Sequence, residues 1–148
     1  MSGPERHDVS SFLQRFEQVG AADTDAAEVA ELFCDVFLNL DPNAATPVPR
    51  DAMAKALPMR KQLFDTIGVS GAELVESVQS PLDELHVLVR TTWRARFADT
   101  APSREPLMLR SDFLLRREAG QWCVAVYLNH QDIAAVIRER SSASDRTR

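Results

Sequence analysis

The sequence has no excess of positive charge and no long apolar run. Its 148 residues contain 17 Lys and Arg against 22 Asp and Glu, a formal net charge of -5 at pH 7. Because nonspecific nucleic-acid binding draws on basic side chains that displace counterions, this balance predicts no nucleic-acid partner. No apolar run approaches the roughly 18 residues of a membrane span, and residues 1–7 hold no apolar signal region. We therefore expect a cytoplasmic protein with no membrane partner.

The sequence also has few cysteines and histidines, with two and three respectively. Its only cysteines, Cys34 and Cys123, are too few and too widely spaced to predict a disulfide framework or a zinc site. Both lie in apolar runs, so we expect reduced, unlinked and slowly reacting core thiols. His86 and His130 lack a second ligand at helical or strand spacing, and no phosphate-binding glycine loop occurs. The prediction is no metal and no cofactor.

What is present fits one globular domain. The hydrophobic fraction is 45% and the charged fraction 26%, as in ordinary packed proteins. The chain is long enough for one core. We predict a domain over residues 8–139, between a disordered start (1–7) and a disordered polar tail (140–148).

The first half of the chain has helical spacing. Asp8 can cap a helix whose apolar stripe includes Phe12 and Phe16, and a second run begins at Asp23 or Thr24. The end of that run, residues 33–40, has enough β-favouring residues to form a strand instead. Three prolines then predict a loop (Pro42, Pro47 and Pro49). A third helical region follows Asp51, and Pro58 is predicted to restart it.

The second half changes to a period of two. Residues 85–97 alternate apolar and polar, with Leu88 as the exception, and residues 107–117 follow as another half-buried strand. A short turn at 118–120 leads to a strand over 122–128 that is apolar on both faces, and Asp132 begins a last helix. One domain's helices can cover only one face of a sheet, so this strand predicts a homodimer.

The order of these elements resembles the nuclear transport factor 2-like superfamily, which includes ketosteroid isomerase, limonene epoxide hydrolase and SnoaL-type polyketide cyclases. The resemblance covers residues 8–139 and rests on helices followed by long strands, and on the segment from Gly120-Gln121-Trp122 to Ile133. It implies an α+β fold in which amino-terminal helices pack on a curved antiparallel sheet, forming a cone with an internal pocket. It also implies dimerisation through the outer face of the sheet.

The catalytic groups of these enzymes do not carry over to this sequence. An isomerase of this kind needs a carboxylate base and an acidic donor such as tyrosine, but Phe12 and Phe16 stand where that tyrosine would be. The epoxide hydrolase carboxylates fall on Arg90-Thr91-Thr92 and on Tyr127, so both are missing. Arg110-Ser111-Asp112 has the right spacing one strand late, which favours a surface ion pair. Whether the chain is an enzyme stays open.

Alternation on the last strand nevertheless predicts a ligand pocket. Cys123, Ala125, Tyr127 and Asn129 share one face, and the same reasoning brings Trp93 and Ser111 to it from neighbouring strands. The predicted pocket residues are therefore Tyr127, Asn129, Trp93 and Ser111, suited to a small apolar ligand. Alternatively, Tyr127 only packs with its hydroxyl satisfied, and Trp93 belongs to the core or to a dimer contact.

Two functions follow. The first is a domain that binds a small apolar ligand or serves as a dimeric interaction module. The second is an isomerase, cyclase or dehydratase acting on a polycyclic or aromatic substrate. A helix-turn-helix over residues 59–78 is a third possibility, but its second helix would carry Glu73 and Glu76 and no Lys or Arg. We expect a strand over 73–78 instead.

Overall fold

The structure is a computed structural model that describes residues 3–20 and 26–146. Helices come first and long strands follow, as the change of period predicts. The helices are α1 (Gly3–Gly20), α2 (Ala26–Ala30), α3 (Arg50–Asp65) and α4 (Ile133–Arg146). The strands are β1 (Phe33–Leu40), β2 (Ala45–Pro49), β3 (Val69–Pro81), β4 (His86–Phe97), β5 (Met108–Glu118) and β6 (Gln121–Asn129). The predicted α+β fold is confirmed.

The six strands form one curved sheet in the order β2-β1-β6-β5-β4-β3. Neighbouring strands are antiparallel, with one correction to the expected sheet: β1 and β6 are parallel. A parallel pair needs a long crossover, and here α3 and the meander of β3, β4 and β5 separate the two strands in sequence. The last strand therefore lies in the middle of the sheet, as a strand apolar on both faces should.

Strand β4 shows the clearest agreement with the sequence. Its burial alternates along its length, with Val87, Val89, Trp93 and Ala95 buried and Arg94 exposed. We call the side of the sheet that carries Val89, Phe113 and Leu115 the inner face, and the side that carries Leu88, Leu114 and Val126 the outer face. The core lies on the inner face, where α1 contributes Val9, Phe12 and Leu13.

Several local predictions need correction. The segment predicted as a proline loop contains β2, an edge strand in which missing proline N–H groups are tolerated. Pro58 lies inside a continuous α3 and does not restart it. Strand β3 includes the expected strand over 73–78 and extends it to both sides, so no helix-turn-helix forms there. The predicted start at Asp23 or Thr24 lies outside the described residues.

Both ends of the domain are more helical than expected. Helix α1 begins at Gly3, with Pro4 in the first turn, where proline is tolerated. Helix α4 continues to Arg146, and Arg140 holds it to the sheet: its guanidinium lies 5.3 Å from the ring centre of Phe97 and donates to the Pro106 carbonyl at 3.0 Å. Among the described residues, no helix is long and apolar enough to cross a bilayer.

The prediction of two unlinked thiols is also wrong. Cys34 and Cys123 form a disulfide, with their Cα atoms 5.2 Å apart. The two residues are 89 positions apart in sequence, and only the parallel pairing of β1 with β6 makes them neighbours. Sequence spacing could not reveal this, because the crossover between the two strands contains most of the domain.

Candidate functional site

A cavity of about 330 Å³ lies between the helices and the inner face of the sheet. Helix α1 contributes Phe16 to its wall, and α3 contributes Met53 and Leu57. The walls are mostly apolar because both helices turn their apolar stripes toward the sheet. The volume lies at the lower end of the roughly 300 to 1,000 Å³ that small-molecule sites occupy.

The four residues predicted to form a pocket all border this cavity. Trp93 comes from β4, Ser111 from β5, and Tyr127 and Asn129 from β6. Strand register explains the meeting: Ser111 is directly opposite Asn129, and Phe113 is directly opposite Tyr127. Residues opposite each other in antiparallel strands project to the same face, so alternation within each strand brings them together.

A chain of hydrogen bonds fixes the polar groups at the sheet. The Trp93 indole donates to the Thr91 hydroxyl at 2.7 Å, and that hydroxyl donates to the Ser111 carbonyl at 2.6 Å. The Ser111 hydroxyl donates to the Asn129 side-chain oxygen at 3.1 Å. Thr91, Ser111 and Asn129 are the buried polar residues of the described chain. Such a connected network holds its members in one arrangement.

Two polar groups of this site keep hydrogen-bonding capacity to spare. Within the described residues, neither the Tyr127 hydroxyl nor the Asn129 amide nitrogen makes a hydrogen bond, although both residues are more than nine-tenths buried. Neither atom is sealed away without a partner, so both face the cavity. A hydroxyl and an amide NH₂ together can donate to an acceptor oxygen on a bound molecule.

Aromatic packing fixes the direction of the Tyr127 ring. Its centroid is 5.2 Å from that of Phe113, in an edge-to-face contact, and 5.9 Å from that of Phe33. Phe16 of α1 contacts the same ring, with 6.4 Å between the ring centroids, and its own ring centroid lies 5.9 Å from that of Trp93. With its ring held on three sides, Tyr127 presents its hydroxyl in a defined position before any ligand arrives.

Charged residues at the cavity were not predicted from the sequence. Glu17 on α1 lines it, and one of its carboxylate oxygens accepts the backbone N–H of Leu74, which ties α1 to β3. Helix α3 adds Arg60, Lys61 and Asp65. The signal that could have found the α3 residues is their position on the apolar stripe of Met53, Leu57 and Phe64. Glu17 had no signal beyond following Phe16.

Cys123 and Ala125, which were expected on the pocket face, do not line the cavity. The pairing of β5 with β6 shifts register between Leu114 and Leu115, which face Val126 and Val124, so Ala125 is an extra residue. This β-bulge reverses the alternation of β6. Val124 therefore joins the inner core, while Cys123 lies opposite Arg116 on the outer face. The expected shared face of Cys123 and Tyr127 was wrong for this reason.

His86 and His130 do not line the cavity. His130 pairs with Asp112 at 3.2 Å and not with Asp132, whose carboxylate accepts from the Asn43 amide at 2.7 Å. This hydrogen bond, followed by the Ala135 backbone N–H, lowers the pKa of Asp132. The described residues contain one group of three candidate metal ligands, and it too lies outside the cavity: Cys34, Glu118 and Cys123.

Several solved structures superpose on this one at low sequence identity. Aln2 from a Streptomyces species aligns with a TM-score of 0.71 and 15% identity, over 94% of this chain and 98% of its own. An NTF-2 like protein of unknown function from Shewanella oneidensis aligns with a TM-score of 0.67 and 10% identity, over 86% of this chain and 99% of its own.

A scytalone dehydratase-like protein from Novosphingobium aromaticivorans gives a TM-score of 0.63 and 17% identity, over 84% of this chain and 82% of its own. No protein-family model and no curated protein matches the sequence. At identities this low, the likeness shows a shared fold alone.

Proposed function

We propose that this chain, which has the nuclear transport factor 2-like fold, binds a small apolar molecule carrying an acceptor oxygen. The observation that carries the proposal is the pair of spare donors in the cavity, the Tyr127 hydroxyl and the Asn129 amide nitrogen. Donors that face a largely apolar cavity can each form a directed hydrogen bond with an oxygen of a bound ligand. The surrounding aromatic and aliphatic walls supply the apolar contacts. The Ser111 hydroxyl orients the Asn129 amide, and Trp93 joins the same network through Thr91.

Removal of the Tyr127 hydroxyl tests this assignment. The probes are bicyclic ketones such as tetralone, screened by the rise in melting temperature that a ligand produces. Tyr127→Phe should weaken the binding of a ketone hit by about 0.5 to 1.5 kcal/mol, roughly two- to twelvefold, because one hydrogen bond is lost. Isothermal titration calorimetry measures the change.

Thr92→Val is the matched control, since Thr92 is a half-exposed hydroxyl on the outer face, opposite Arg110. It should leave the affinity within twofold of the wild type. Equal affinities in wild type and Tyr127→Phe would contradict the assignment of Tyr127, and the absence of any ketone hit would contradict the ligand class.

The second candidate function is an isomerase, cyclase or dehydratase acting on an aromatic or polycyclic substrate. Its support is Glu17, a half-buried carboxylate that borders the same cavity as Tyr127. A carboxylate can take a proton from carbon while a phenol donates to the developing oxyanion. The structural neighbour described as scytalone dehydratase-like adds a dehydratase to the reactions worth assaying.

Glu17→Gln separates the two functions. A binding protein should keep its affinity for ketones in this variant, whereas an enzyme should lose turnover by roughly a hundredfold or more while binding persists. Turnover is followed by exchange of the ketone's α-protons with deuterated solvent, using nuclear magnetic resonance.

We also propose a homodimer formed through the outer face. Four half-buried apolar side chains form one row across four strands of this face: Leu38, Val126, Leu114 and Leu88. Each member is opposite the next in register, so the row is continuous. A second copy related by twofold symmetry would bring two such rows together and remove them from water.

The cellular compartment stays a prediction. The cytoplasm is the expected compartment, whereas the Cys34–Cys123 disulfide is a pairing that reducing compartments rarely keep. Thiol trapping in intact cells, before lysis exposes the protein to air, would decide which state the two cysteines occupy.

A further inference from the structure

The disulfide lies beside a carboxylate on the outer face. Cys123 is opposite Arg116 of β5 in register, and Glu118 is two residues further along that strand. The two sulfur atoms and a Glu118 carboxylate oxygen all lie within 4.8 Å of one another. Neither cysteine belongs to the inner core, although both are more than nine-tenths buried.

We propose that reduction of this disulfide creates a metal site in which Cys34, Cys123 and Glu118 bind a thiophilic divalent cation such as Zn²⁺. The site is on the opposite face of the sheet from the cavity, so it is independent of the proposed ligand function. Disulfide and metal are alternative states of the same two sulfur atoms. The chain would bind metal under reducing conditions and release it on oxidation.

The donor set and its spacing fit zinc. Two thiolates and a carboxylate are zinc ligands, with bonds of about 2.3 Å to sulfur and about 2.1 Å to oxygen. Those bonds place tetrahedral ligand atoms roughly 3.5 to 3.8 Å apart. Breaking the S–S bond lets the sulfur atoms separate to that distance by side-chain rotation, because the Cα atoms are already 5.2 Å apart. Water completes the fourth position.

The neighbouring groups support this set of ligands. The Arg116 Nε lies 3.2 Å from a Glu118 oxygen, and its Nη1 lies 3.0 Å from Nε2 of His86. The first of these contacts orients the Glu118 carboxylate, as hydrogen bonds to metal ligands commonly do, and the second holds the Arg116 guanidinium. Two thiolates, one carboxylate and Zn²⁺ leave one net negative charge, which the Arg116 guanidinium offsets.

Reduction and metal binding balance in electrons and protons. A dithiol reductant supplies two electrons and two protons, the Cys34–Cys123 bond breaks to give two thiols, and the reductant becomes a cyclic disulfide. Zn²⁺ then replaces both thiol protons, which go to solvent. Glu118 is accessible for the entry of the ion, since about half of its side chain is exposed.

Cobalt titration of the reduced protein tests the proposal. Protein reduced with a dithiol, then desalted without oxygen, is titrated with Co²⁺, whose thiolate complexes absorb in the near ultraviolet. Reduced wild type should show this charge-transfer absorption, and Zn²⁺ should abolish it by displacing Co²⁺. Oxidised wild type should show none. Bound Zn²⁺ should also slow alkylation of the cysteines by iodoacetamide.

Variants assign the ligands. Cys123→Ser should lose the absorption, and Glu118→Gln should weaken Co²⁺ binding by roughly tenfold or more. Glu105→Gln, an exposed carboxylate elsewhere, is the matched control and should bind as the wild type does. Glu118→Gln changes an exposed side chain, so it carries the test even if Cys123→Ser does not fold.

Some results would overturn the proposal. Reduced wild type without the cobalt absorption would exclude the site. Unchanged binding in Cys123→Ser would exclude this cysteine pair, and binding within twofold of wild type in Glu118→Gln would exclude the three-ligand set. None of these results would affect ketone binding in the cavity, so failure of one proposal is distinguishable from failure of the other.

Discussion

The two faces of the sheet differ in what covers them. On the inner face, Val89, Phe113 and Leu115 have no solvent exposure, because α1 and the other core residues pack over them. On the outer face, Leu88 and Leu114 are only half-buried, and paired charges such as Arg94 with Glu73 lie among the apolar residues. The pattern of β6, which is apolar on both faces, therefore does not show which face the chain itself covers.

The polar groups of the two faces differ in their exposure to solvent. On the inner face, Thr91, Ser111 and Asn129 are buried, and hydrogen bonds connect them with the Trp93 indole. Outer-face ion pairs are solvated, which reduces the free energy each contributes. Substitutions on the inner face should consequently change stability and cavity binding, while those on the outer face should change association.

Two adjacent leucines provide the strongest test of this difference. Leu115→Ala should lower the free energy of unfolding by about 2 to 5 kcal/mol, because it removes a fully buried side chain and leaves a cavity. Leu114→Ala makes the same chemical change on the outer face and should cost about 1 kcal/mol or less in the monomer. Urea unfolding at low protein concentration measures both. Equal losses would contradict the assignment of the two faces.

A hydroxyl placed in the apolar row of the outer face tests whether this row forms the dimer contact. Val126→Thr keeps the shape of the side chain but brings a hydroxyl into the proposed dimer contact of each subunit, at a cost of about 1 to 2 kcal/mol per subunit. Sedimentation velocity should show the dimer dissociating at a higher protein concentration than in wild type.

Val75→Thr, at an exposed edge-strand position, is the control and should leave the dimer intact. Wild-type protein that stays monomeric at micromolar concentration would rule out the dimer itself.

The smallest expected effect concerns a solvated acid. A hydrogen bond from His86, and then one from the Leu85 backbone N–H, lowers the pKa of Asp83. A carboxyl whose native pKa is depressed stabilises the fold above its unfolded pKa, and this contribution is lost as the pH falls through the native value. Asp83→Asn should therefore melt slightly below wild type at neutral pH.

That difference should shrink as the pH falls below about 4, the ordinary range of an aspartate. Thermal melts across acidic pH measure it. Glu84→Gln, at the neighbouring exposed acid, controls for the change in net charge. A gap between wild type and Asp83→Asn that stays constant down to the lowest pH would show that hydrogen bonding to the ionised form does not contribute.

The sequence predicted the features that repeat along a strand. The alternation over residues 85–97 identified β4. Alternation within each of three strands predicted that four residues share one face: Trp93, Ser111, Tyr127 and Asn129. It could not predict contacts between distant strands, so the Cys34–Cys123 disulfide was missed. It also could not predict the single extra residue at Ala125, because a bulge depends on the partner strand. Glu17 was missed because it lies on α1 and its contact, the Leu74 backbone N–H, lies on β3, far away in sequence.

The bulge at Ala125 changes which residues of β6 face each side of the sheet. Odd-numbered residues before the bulge lie on the outer face and odd-numbered residues after it lie on the inner face. Cys123 and the Tyr127 hydroxyl, only four positions apart, are therefore on opposite sides of the sheet. If Ala125 paired with Leu115 in place of Val124, the bulge would disappear and the amino-terminal half of β6 would turn over. Cys123 would then lie on the inner face with Tyr127, and Val124 would lie on the outer face, so one residue without a functional group keeps two chemistries apart.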